Sequence, residues 1–260
     1  MARRRGPEVS RPNRRTPVSG DLSEILKAAL PHDHARQVTS RYYIEREMTF
    51  EPKPRVVIDL GCGRGDSVDV FRKHAPDVSW IGIDIGDSQE AKQRTRRDAP
   101  FLYYDGWDVP LAASSVDVVY SHQVLEHVRD PAFHLAEVAR VLRPGGAFIG
   151  STSQFEPYHS RSYWNFTPLG FQALVEDAGL TLEELRPGID GITLILRTFL
   201  GRPARFSPWF AHGSPLHTVI DEWAQRAKRR TWLVNLRKVQ FAGQFAFCAR
   251  RPASRGVATS

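Results

Sequence analysis

The sequence has 260 residues, 41% of them hydrophobic and 25% charged, with a formal net charge of +7. This length supports one large or two small domains whose core needs no disulfide bonds, and two cysteines, Cys62 and Cys248, argue against a disulfide framework. Because no run of about 18 apolar residues occurs and no apolar stretch follows the N-terminal arginines, we expect a cytoplasmic protein without a membrane span or signal peptide.

The positive charge is concentrated at the two ends of the chain. Residues 1–20 contain six arginines and one acid, residues 250–260 contain three arginines and no acid, and the rest sums to −1. A nucleic-acid-binding domain usually carries its basic residues as a patch on the fold, whereas these segments are typical of solvated tails. We therefore predict disordered basic tails at 1–20 and 251–260 around one domain at 21–250, and this distribution argues against a nucleic-acid partner.

The first regular patterns are a helix and a strand that leads into glycines. Apolar residues at helical spacing over 22–30 predict a short helix that ends at Pro31. After a stretch with two tyrosines and mixed charge, the apolar residues 56–58 run into Asp59 and into glycines at 61, 63 and 65. This order predicts a buried strand, a tight turn and a helix start.

The spacing of the glycines decides which ligand the turn suits. A dinucleotide-binding loop would need a glycine where the sequence has Asp66, and a phosphate-binding loop would need a Lys-Ser/Thr pair. Asp59 also suits a ligand with an ammonium and a sulfonium group better than a pyrophosphate. The run Asp59-x-Gly61-x-Gly63-x-Gly65 resembles the first motif of class I S-adenosylmethionine (SAM)-dependent methyltransferases. The resemblance implies that these four residues bind SAM and that the segment 34–50 covers the cofactor.

The next two strands are expected to carry the nucleoside contacts. The strand over 78–84 ends on Asp84, where a carboxylate can accept hydrogen bonds from both ribose hydroxyls, with Ile85 beside it. A charged helix over 88–98 and a strand over 101–104 follow. By the same resemblance, Asp105 would accept from the adenine amino group and the Gly106 amide would donate to the ring. Trp107 either stacks on the ligand or packs on its own loop.

The fourth strand, over 116–120, leads into two of three candidate catalytic groups. The run Val-Leu-Glu-His-Val at 124–128 resembles a broad family of methyltransferases with many small-molecule enzymes. His122 lies just past the strand end, where open α/β sheets bind ligands, and an imidazole can accept a hydroxyl proton near neutral pH. We predict His122 as a cofactor-facing and catalytic residue and His127 and His159 as further catalytic candidates. The alternative is that these histidines are structural.

The Glu126-His127 pair raises the question of a metal. Small RNA 2′-O-methyltransferases and some quinone O-methyltransferases place Glu-x-x-Glu-His at this point to bind a divalent cation. Gln123 occupies the first of those positions here, which removes one anionic ligand. We therefore predict no metal site.

The acceptor side is predicted in the loop 153–166. A helix over 131–142, a Pro-Gly-Gly turn at 144–146 and a strand over 147–151 complete the resemblance, which covers roughly residues 55–152. The loop that follows is dense in aromatic and hydrogen-bonding side chains, as a polyhydroxylated ligand requires, and resembles some bacterial glycan and glycoside methyltransferases. The alternative is that its aromatics only fill a lid. The predicted acceptor-binding residues are Tyr158, Arg161, Tyr163, Trp164 and Asn165.

The remaining elements complete the predicted fold. Thr167-Pro168 begins a helix that ends at Gly179, and strands over 181–186 and 243–250 are separated by about 55 residues. That interval contains a helical pattern over 216–236, and we predict 190–240 as an insert that forms an acceptor-side wall or a dimer contact. The alternative is that the insert has a structural role only. The fold class is α/β, a doubly wound Rossmann-like seven-stranded sheet, mostly parallel, with an antiparallel last strand and a helical insert before it.

The combined patterns predict a SAM-dependent methyltransferase. We expect O-methylation of a small hydroxylated acceptor such as a saccharide or glycoside. The alternatives are an RNA 2′-O-methyltransferase, which Glu126-His127 and the basic tails suggest, a quinone- or phenol-type O-methyltransferase, and a non-catalytic SAM-binding protein.

Overall fold

The computed structural model describes residues 22–253. The tail predicted at 1–20 and positions 254–260 of the C-terminal tail lie outside the described residues. Arg251 is part of the fold, because its backbone N–H donates to the carbonyl of Gly146 at 2.9 Å. The folded part therefore extends past the predicted boundary at 250.

Seven strands form one sheet in the order β3-β2-β1-β4-β5-β7-β6. Strand β7 is antiparallel to both of its neighbours, whereas the other pairings are parallel, which confirms the predicted fold class. Because the chain order reverses between β1 and β4, the carboxyl ends of these two strands border a crevice where open α/β sheets bind ligands. We call this crevice the cleft. The strands are β1 (Val56–Leu60), β2 (Ser79–Ile85), β3 (Phe101–Tyr104), β4 (Val116–His122), β5 (Leu142–Ser153), β6 (Thr181–Pro187) and β7 (Gln244–Arg250).

Helices pack on both faces of the sheet. The cap predicted at Thr167 is present, since its hydroxyl accepts from the N–H of Gly170 at 3.0 Å. Asp130 likewise precedes a proline and caps its helix by accepting from the N–H of Phe133 at 3.0 Å. The helices are α1 (Leu22–Leu26), α2 (Arg41–Glu47), α3 (Ser67–His74), α4 (Gln89–Lys92), α5 (Pro131–Val141), α6 (Pro168–Asp177), α7 (Gly191–Phe199), α8 (Pro208–Ala211), α9 (Pro215–Arg226) and α10 (Thr231–Phe241).

The core consists of two apolar layers, one on each face of the sheet. Alternate residues of β1 point to opposite layers, so that Ile58 packs with α5 and α6 while Val57 packs with α2 and α3. Full burial of an aliphatic or phenylalanine side chain stabilises a fold by about 1.5–3 kcal/mol. The layers therefore hold the strand ends in fixed positions. The residues that directly follow each strand are positioned by it.

Two predicted helices are wrong in extent. The helix expected over 88–98 is only Gln89–Lys92, because the chain then turns so that the Arg94 guanidinium reaches the carbonyl of Gly63. The helix expected over 216–236 is two helices, α9 and α10, with a break at Lys228, whose φ is 46°. Within residues 22–253, none of the helices is both long and apolar enough to cross a membrane.

Candidate functional site

The turn after β1 is shaped by three glycines with positive φ. These angles are 82° at Gly61, 50° at Gly63 and 84° at Gly65. A Cβ atom on Gly61 would lie 2.3 Å from a methyl carbon of Val124, and one on Gly65 would lie 2.8 Å from the Phe101 ring. On Gly63 it would meet only the side chain of Glu90, at 3.3 Å. Packing therefore requires the outer two glycines, whereas the space beside the Cα of Gly63 is open on the side where a Cβ atom would lie.

Asp84 joins the end of β2 to this turn. Its buried carboxylate accepts from the Gly63 N–H at 2.7 Å, and Arg94 lies 4.0 Å from the same carboxylate. Arg94 also donates from Nε to the Gly63 carbonyl at 2.9 Å and stacks on the Phe101 ring at 3.9 Å. Burial raises the pKa of Asp84, although the Gly63 N–H and Arg94 oppose that shift. The turn thus combines backbone groups with a carboxylate that additional positive charge would stabilise.

Asp59 is a second buried acid beside the turn. Its carboxylate accepts from the hydroxyl of Ser67, which in turn accepts from Trp80 Nε1 at 3.0 Å. Burial raises the pKa of Asp59 to about 7; the Ser67 hydrogen bond opposes the shift, and the charge of Asp84 adds to it. Two acids that are costly to ionise therefore lie next to each other at the strand ends, which is an environment that stabilises a bound cation.

The residues predicted to hold the adenine ring follow β3, at the same edge of the sheet as the glycine turn. A Cβ atom on Gly106, whose φ is 88°, would lie 3.7 Å from a methyl carbon of Ile85, so these two residues are neighbours. The Asp105 carboxylate accepts from the Trp107 N–H at 2.9 Å. The Trp107 ring packs edge-on against Phe133, with ring centroids 5.6 Å apart, and 45% of the residue stays exposed. Trp107 thus packs on α5 and keeps an exposed face.

His122 ends β4 and is fixed by two hydroxyl groups. Its Nδ1 lies 3.0 Å from Ser40 Oγ and 2.8 Å from Ser151 Oγ, and its ring stacks on Tyr120. Nε2 has no hydrogen bond to any residue of the described range, and the residue is exposed at the carboxyl end of β4. The surrounding protein and, to a lesser extent, the charge of Arg41 lower the pKa of His122 to about 4. The imidazole is therefore neutral near pH 7 and can accept a hydrogen bond at Nε2.

Glu126, His127 and His159 form a second cluster, with one ligand-type atom from each within 4.8 Å of the others. The two imidazole rings meet edge to face with centroids 5.0 Å apart. Glu126 is fully buried and accepts from Thr152 Oγ1 at 2.9 Å; burial raises its pKa to about 7. Nδ1 of His127 is buried without a partner among the described residues. Burial, and next the neighbouring His159, lower the pKa of His127.

The loop 153–166 folds back over the segment that follows β4. The backbone N–H groups of Tyr163 and Trp164 donate to the Glu126 carbonyl at 2.7 and 3.2 Å, and Trp164 Nε1 donates to the Val128 carbonyl at 2.9 Å. Asn165 donates to the carbonyl of Glu156 at 3.1 Å. The loop backbone is thus anchored on the connection between β4 and α5, which includes Glu126 and His127 of the second cluster.

Several side chains of this loop point outward. Tyr158 is 87% exposed, and Tyr163 and Trp164 also present exposed rings. The pKa of Asp87 is lowered first by Lys92 and also by Arg161, so the loop reaches toward the segment after β2. The loop therefore extends from the connection between β4 and α5 toward the segment after β2, and it offers flat apolar faces together with hydrogen-bonding groups.

Residues 58–150 match a family described as a methyltransferase domain. A probable SAM-dependent methyltransferase of Mycolicibacterium smegmatis is 30% identical over 187 residues, which cover 64% of this chain and 71% of that relative. The chain belongs to the class I SAM-dependent methyltransferases. Its cofactor is SAM, as predicted, and the residues around the glycine turn fit that group, since the open space beside Gly63 and the buried acids Asp59 and Asp84 suit a nucleoside that carries positive charge.

Two further comparisons relate this methyltransferase to known proteins. The solved structure of a SAM-dependent methyltransferase from Mesorhizobium loti shares the fold with a TM-score of 0.50 and 20% identity, over 82% of this chain and 98% of that one. A ubiquinone biosynthesis O-methyltransferase of Coxiella burnetii is 30% identical over 115 residues, or 42% of this chain and 47% of that relative. This second match spans about half of the relative's length.

The methyltransferase fold brings together most of the residues predicted from the motifs. The glycine turn, Asp84, Ile85 and Gly106 line the ends of β1, β2 and β3, with His122 at the end of β4. His127 and His159 contact each other where the loop 153–166 meets the segment after β4. Each assigned role of these residues stays a prediction. The motifs did not indicate Ser40, Arg94 or Ser151, although these residues contact His122 or the glycine turn.

Proposed function

We propose that this methyltransferase transfers the methyl group of SAM to a hydroxyl oxygen of a small polyhydroxylated acceptor, such as a saccharide or glycoside. One observation carries the proposal: a neutral, hydroxyl-anchored His122 lies at the strand end while the aromatic loop 153–166 borders the same cleft. Exposed rings of Tyr158, Tyr163 and Trp164 suit stacking on the C–H faces of a sugar. In this proposal 190–240 forms an acceptor-side wall of the domain.

The chemistry requires alignment of a hydroxyl group and removal of its proton. Bound SAM would supply an electrophilic methyl group on its sulfonium, and loss of that methyl group would leave the neutral thioether S-adenosylhomocysteine as the second product. His122 Nε2 would accept the hydrogen bond of the acceptor hydroxyl and take its proton as the oxygen–carbon bond forms. Ser40 and Ser151 hold the ring through Nδ1. Since the pKa of His122 is lowered to about 4, it is a weak base, and positioning contributes more to the rate than proton transfer does.

The alternative of a quinone- or phenol-type O-methyltransferase with a metal is favoured by the second cluster. One carboxylate and two imidazoles suit a transition metal such as Zn²⁺ better than Mg²⁺, and Nδ1 of His127 lacks a partner. Against it, Glu126 accepts hydrogen bonds from Thr152 and Ser153. With its nitrogen turned toward the acceptors, the Gln123 amide donates to Glu126 as well, at 2.9 Å. These donors already occupy the carboxylate, which supports metal-free transfer.

O-transfer is further supported by the Coxiella burnetii relative, which is named as an O-methyltransferase. Nucleic acid is disfavoured as the acceptor because the loop 153–166 carries no excess of positive charge, with Arg161 as its one cation and Glu156 as its one acid. We place the enzyme in the cytoplasm, a location that fits its two free and buried cysteines.

The test is methyl transfer from labelled SAM to separate pools of saccharides and glycosides, catechols and quinols, RNA and protein, with and without a chelator. We expect label in the saccharide pool at the same rate in both conditions, and loss of transfer in His122→Gln with unchanged SAM affinity. Label only in quinols, abolished by the chelator, would instead establish the metal-assisted reaction. Label only in RNA, or SAM binding by calorimetry with no labelled product in any pool, would also contradict the proposal.

A further inference from the structure

Helix α7 presents apolar side chains to the outside of the molecule. Leu194 packs inward with 1% exposure, whereas Phe199 is 84% and Ile192 57% exposed. A surface helix of a soluble domain normally has its polar residues on the outer side. We call the five exposed residues the α7 face; they are Ile192, Ile195, Leu196, Phe199 and Leu200. They lie at helical spacing along one side of α7 and form a contiguous apolar surface that nothing in the described chain covers.

The segment that contains this face is strongly basic. Residues 191–241 hold nine lysines and arginines against two acids, a net charge of +7, whereas 21–190 and 242–249 together sum to −8. The near-neutral total between the tails therefore conceals a separation of charge. One of the two acids, Asp221, is already paired with the buried Lys238 at 2.7 Å. The exposed surface of the insert is thus positive.

Exposed arginines flank the α7 face at both ends. Arg202 and Arg205 follow the helix directly and are exposed. At the other end, Arg237 stacks on the Phe241 ring at 4.9 Å, and Phe241 lies against Gly191, the first residue of α7. The structure thus places an apolar stripe between groups of cations.

An apolar stripe with flanking arginines fits the boundary between lipid headgroups and acyl chains. We propose that the α7 face docks this protein onto the surface of a bilayer that contains anionic lipids. The apolar side chains enter the acyl boundary and the arginines bind the headgroup phosphates. A second copy of the chain fits this surface less well, because a twofold interface would set one basic insert against another.

The docking surface is adjacent to the acceptor loop. Phe155, the first aromatic residue of that loop and half exposed, lies against Gly191 at the start of α7. A docked molecule would hold loop 153–166 close to the membrane. If the proposed O-methylation is correct, an acceptor attached to a lipid would be presented beside this loop; the docking itself does not depend on that reaction.

The test is flotation of the full chain with phosphatidylcholine vesicles, with and without phosphatidylglycerol. We expect binding to the anionic vesicles that weakens with salt. Phe199→Ser and Ile195→Ser should each weaken it about tenfold or more, and Arg202→Gln about fivefold. Val219→Ser removes an exposed apolar side chain on α9, outside the α7 face, whose exposure of 59% lies between those of Ile195 and Phe199, and it should leave binding unchanged.

Three results would overturn the proposal. The first is absence of wild-type binding to the anionic vesicles. The second is full binding by the Phe199 and Ile195 variants, which would assign the lipid contact to the basic tails. The third is a concentration-dependent dimer in sedimentation velocity that Phe199→Ser abolishes, which would assign the α7 face to a second copy. Because these residues are exposed, the variants should keep the wild-type circular dichroism spectrum.

Discussion

Replacing Asp59 with asparagine should separate the stability of the free protein from its affinity for SAM. Asp59 is 4% exposed, and burial raises the pKa of its carboxyl from an ordinary value of 3.8 to about 7. Asparagine has nearly the same shape, and its side-chain oxygen can still accept from Ser67. The substitution therefore removes the titration and the negative charge while keeping the packing and the hydrogen bond.

The sign of the stability effect follows from the direction of the pKa shift. Because the pKa is higher in the folded state, protonation of Asp59 stabilises the fold fully below about pH 4, and this contribution is lost as the pH rises through about 7. Three pH units at 1.4 kcal/mol each set an upper bound of about 4 kcal/mol. Relative to wild type, Asp59→Asn should therefore gain free energy of unfolding as the pH rises, and at pH 8 it should be the more stable protein.

Whereas Asp59→Asn should be more stable than wild type at pH 8, it should bind SAM more weakly. A bound cation stabilises the ionised carboxylate, so the wild-type protein should release a proton on binding, and its affinity should rise by up to about tenfold per pH unit below pH 7. Asp59→Asn should lose this slope and bind SAM about tenfold or more weakly at pH 7.5. Calorimetry in buffers of different ionisation enthalpy measures both quantities, and denaturant titration at pH 5, 6.5 and 8 measures the stability.

Asp177, an exposed acid at the end of α6, provides the matched control. Asp177→Asn should leave the free energy of unfolding within about 0.5 kcal/mol of wild type and SAM affinity unchanged. If Asp59→Asn were less stable than wild type at every pH and bound SAM with the wild-type affinity, Asp59 would have a structural role only, and the account of the cation site would be refuted.

Two further substitutions test the turn and the candidate base. Gly61→Ala should destabilise the fold by about 2–5 kcal/mol in denaturant titration, because φ is positive and a Cβ atom would lie 2.3 Å from Val124. The double variant Gly61→Ala/Val124→Ala should recover part of that loss. Wild-type stability in the single variant would contradict this packing. His122→Gln should lower kcat by about 10²–10⁴-fold with little change in SAM affinity, and an unchanged kcat would remove His122 from the reaction.

The sheet could be predicted because each strand has a local signature. Short, mostly apolar runs indicated the seven strands, those of β1, β2 and β3 with glycine or acidic residues at their ends, and the proline and glycine positions indicated the starts and ends of α5 and α6. The helix over 88–98 could not be predicted correctly, because its end depends on Arg94 contacting Gly63 and Phe101, which are distant in sequence. The break between α9 and α10 depends on Lys228 in a left-handed conformation, which no glycine marks.

Site residues at strand ends could be predicted from the sequence. Site residues that reach the cleft only through packing of distant segments could not. Asp84 and His122 could be placed because parallel strands end at one edge of the sheet. Ser40 belongs to the segment before β1 and reaches His122 only through packing of the folded chain. Likewise, the sequence gives Glu126 and His127 as neighbours, but His159 joins them only because the loop backbone bonds to the Glu126 carbonyl.

The position of the SAM site is tested most directly by calorimetric titration of SAM into Gly63→Trp. A Cβ atom at Gly63 meets only the side chain of Glu90, so the indole should extend into the cleft, and we expect the fold to lose about 1–2 kcal/mol for the positive φ. We predict that the variant stays folded, as judged by circular dichroism and denaturant titration, and shows no detectable binding of SAM. A folded Gly63→Trp variant that binds SAM with the affinity of the wild-type protein would contradict the placement of the cofactor at this turn.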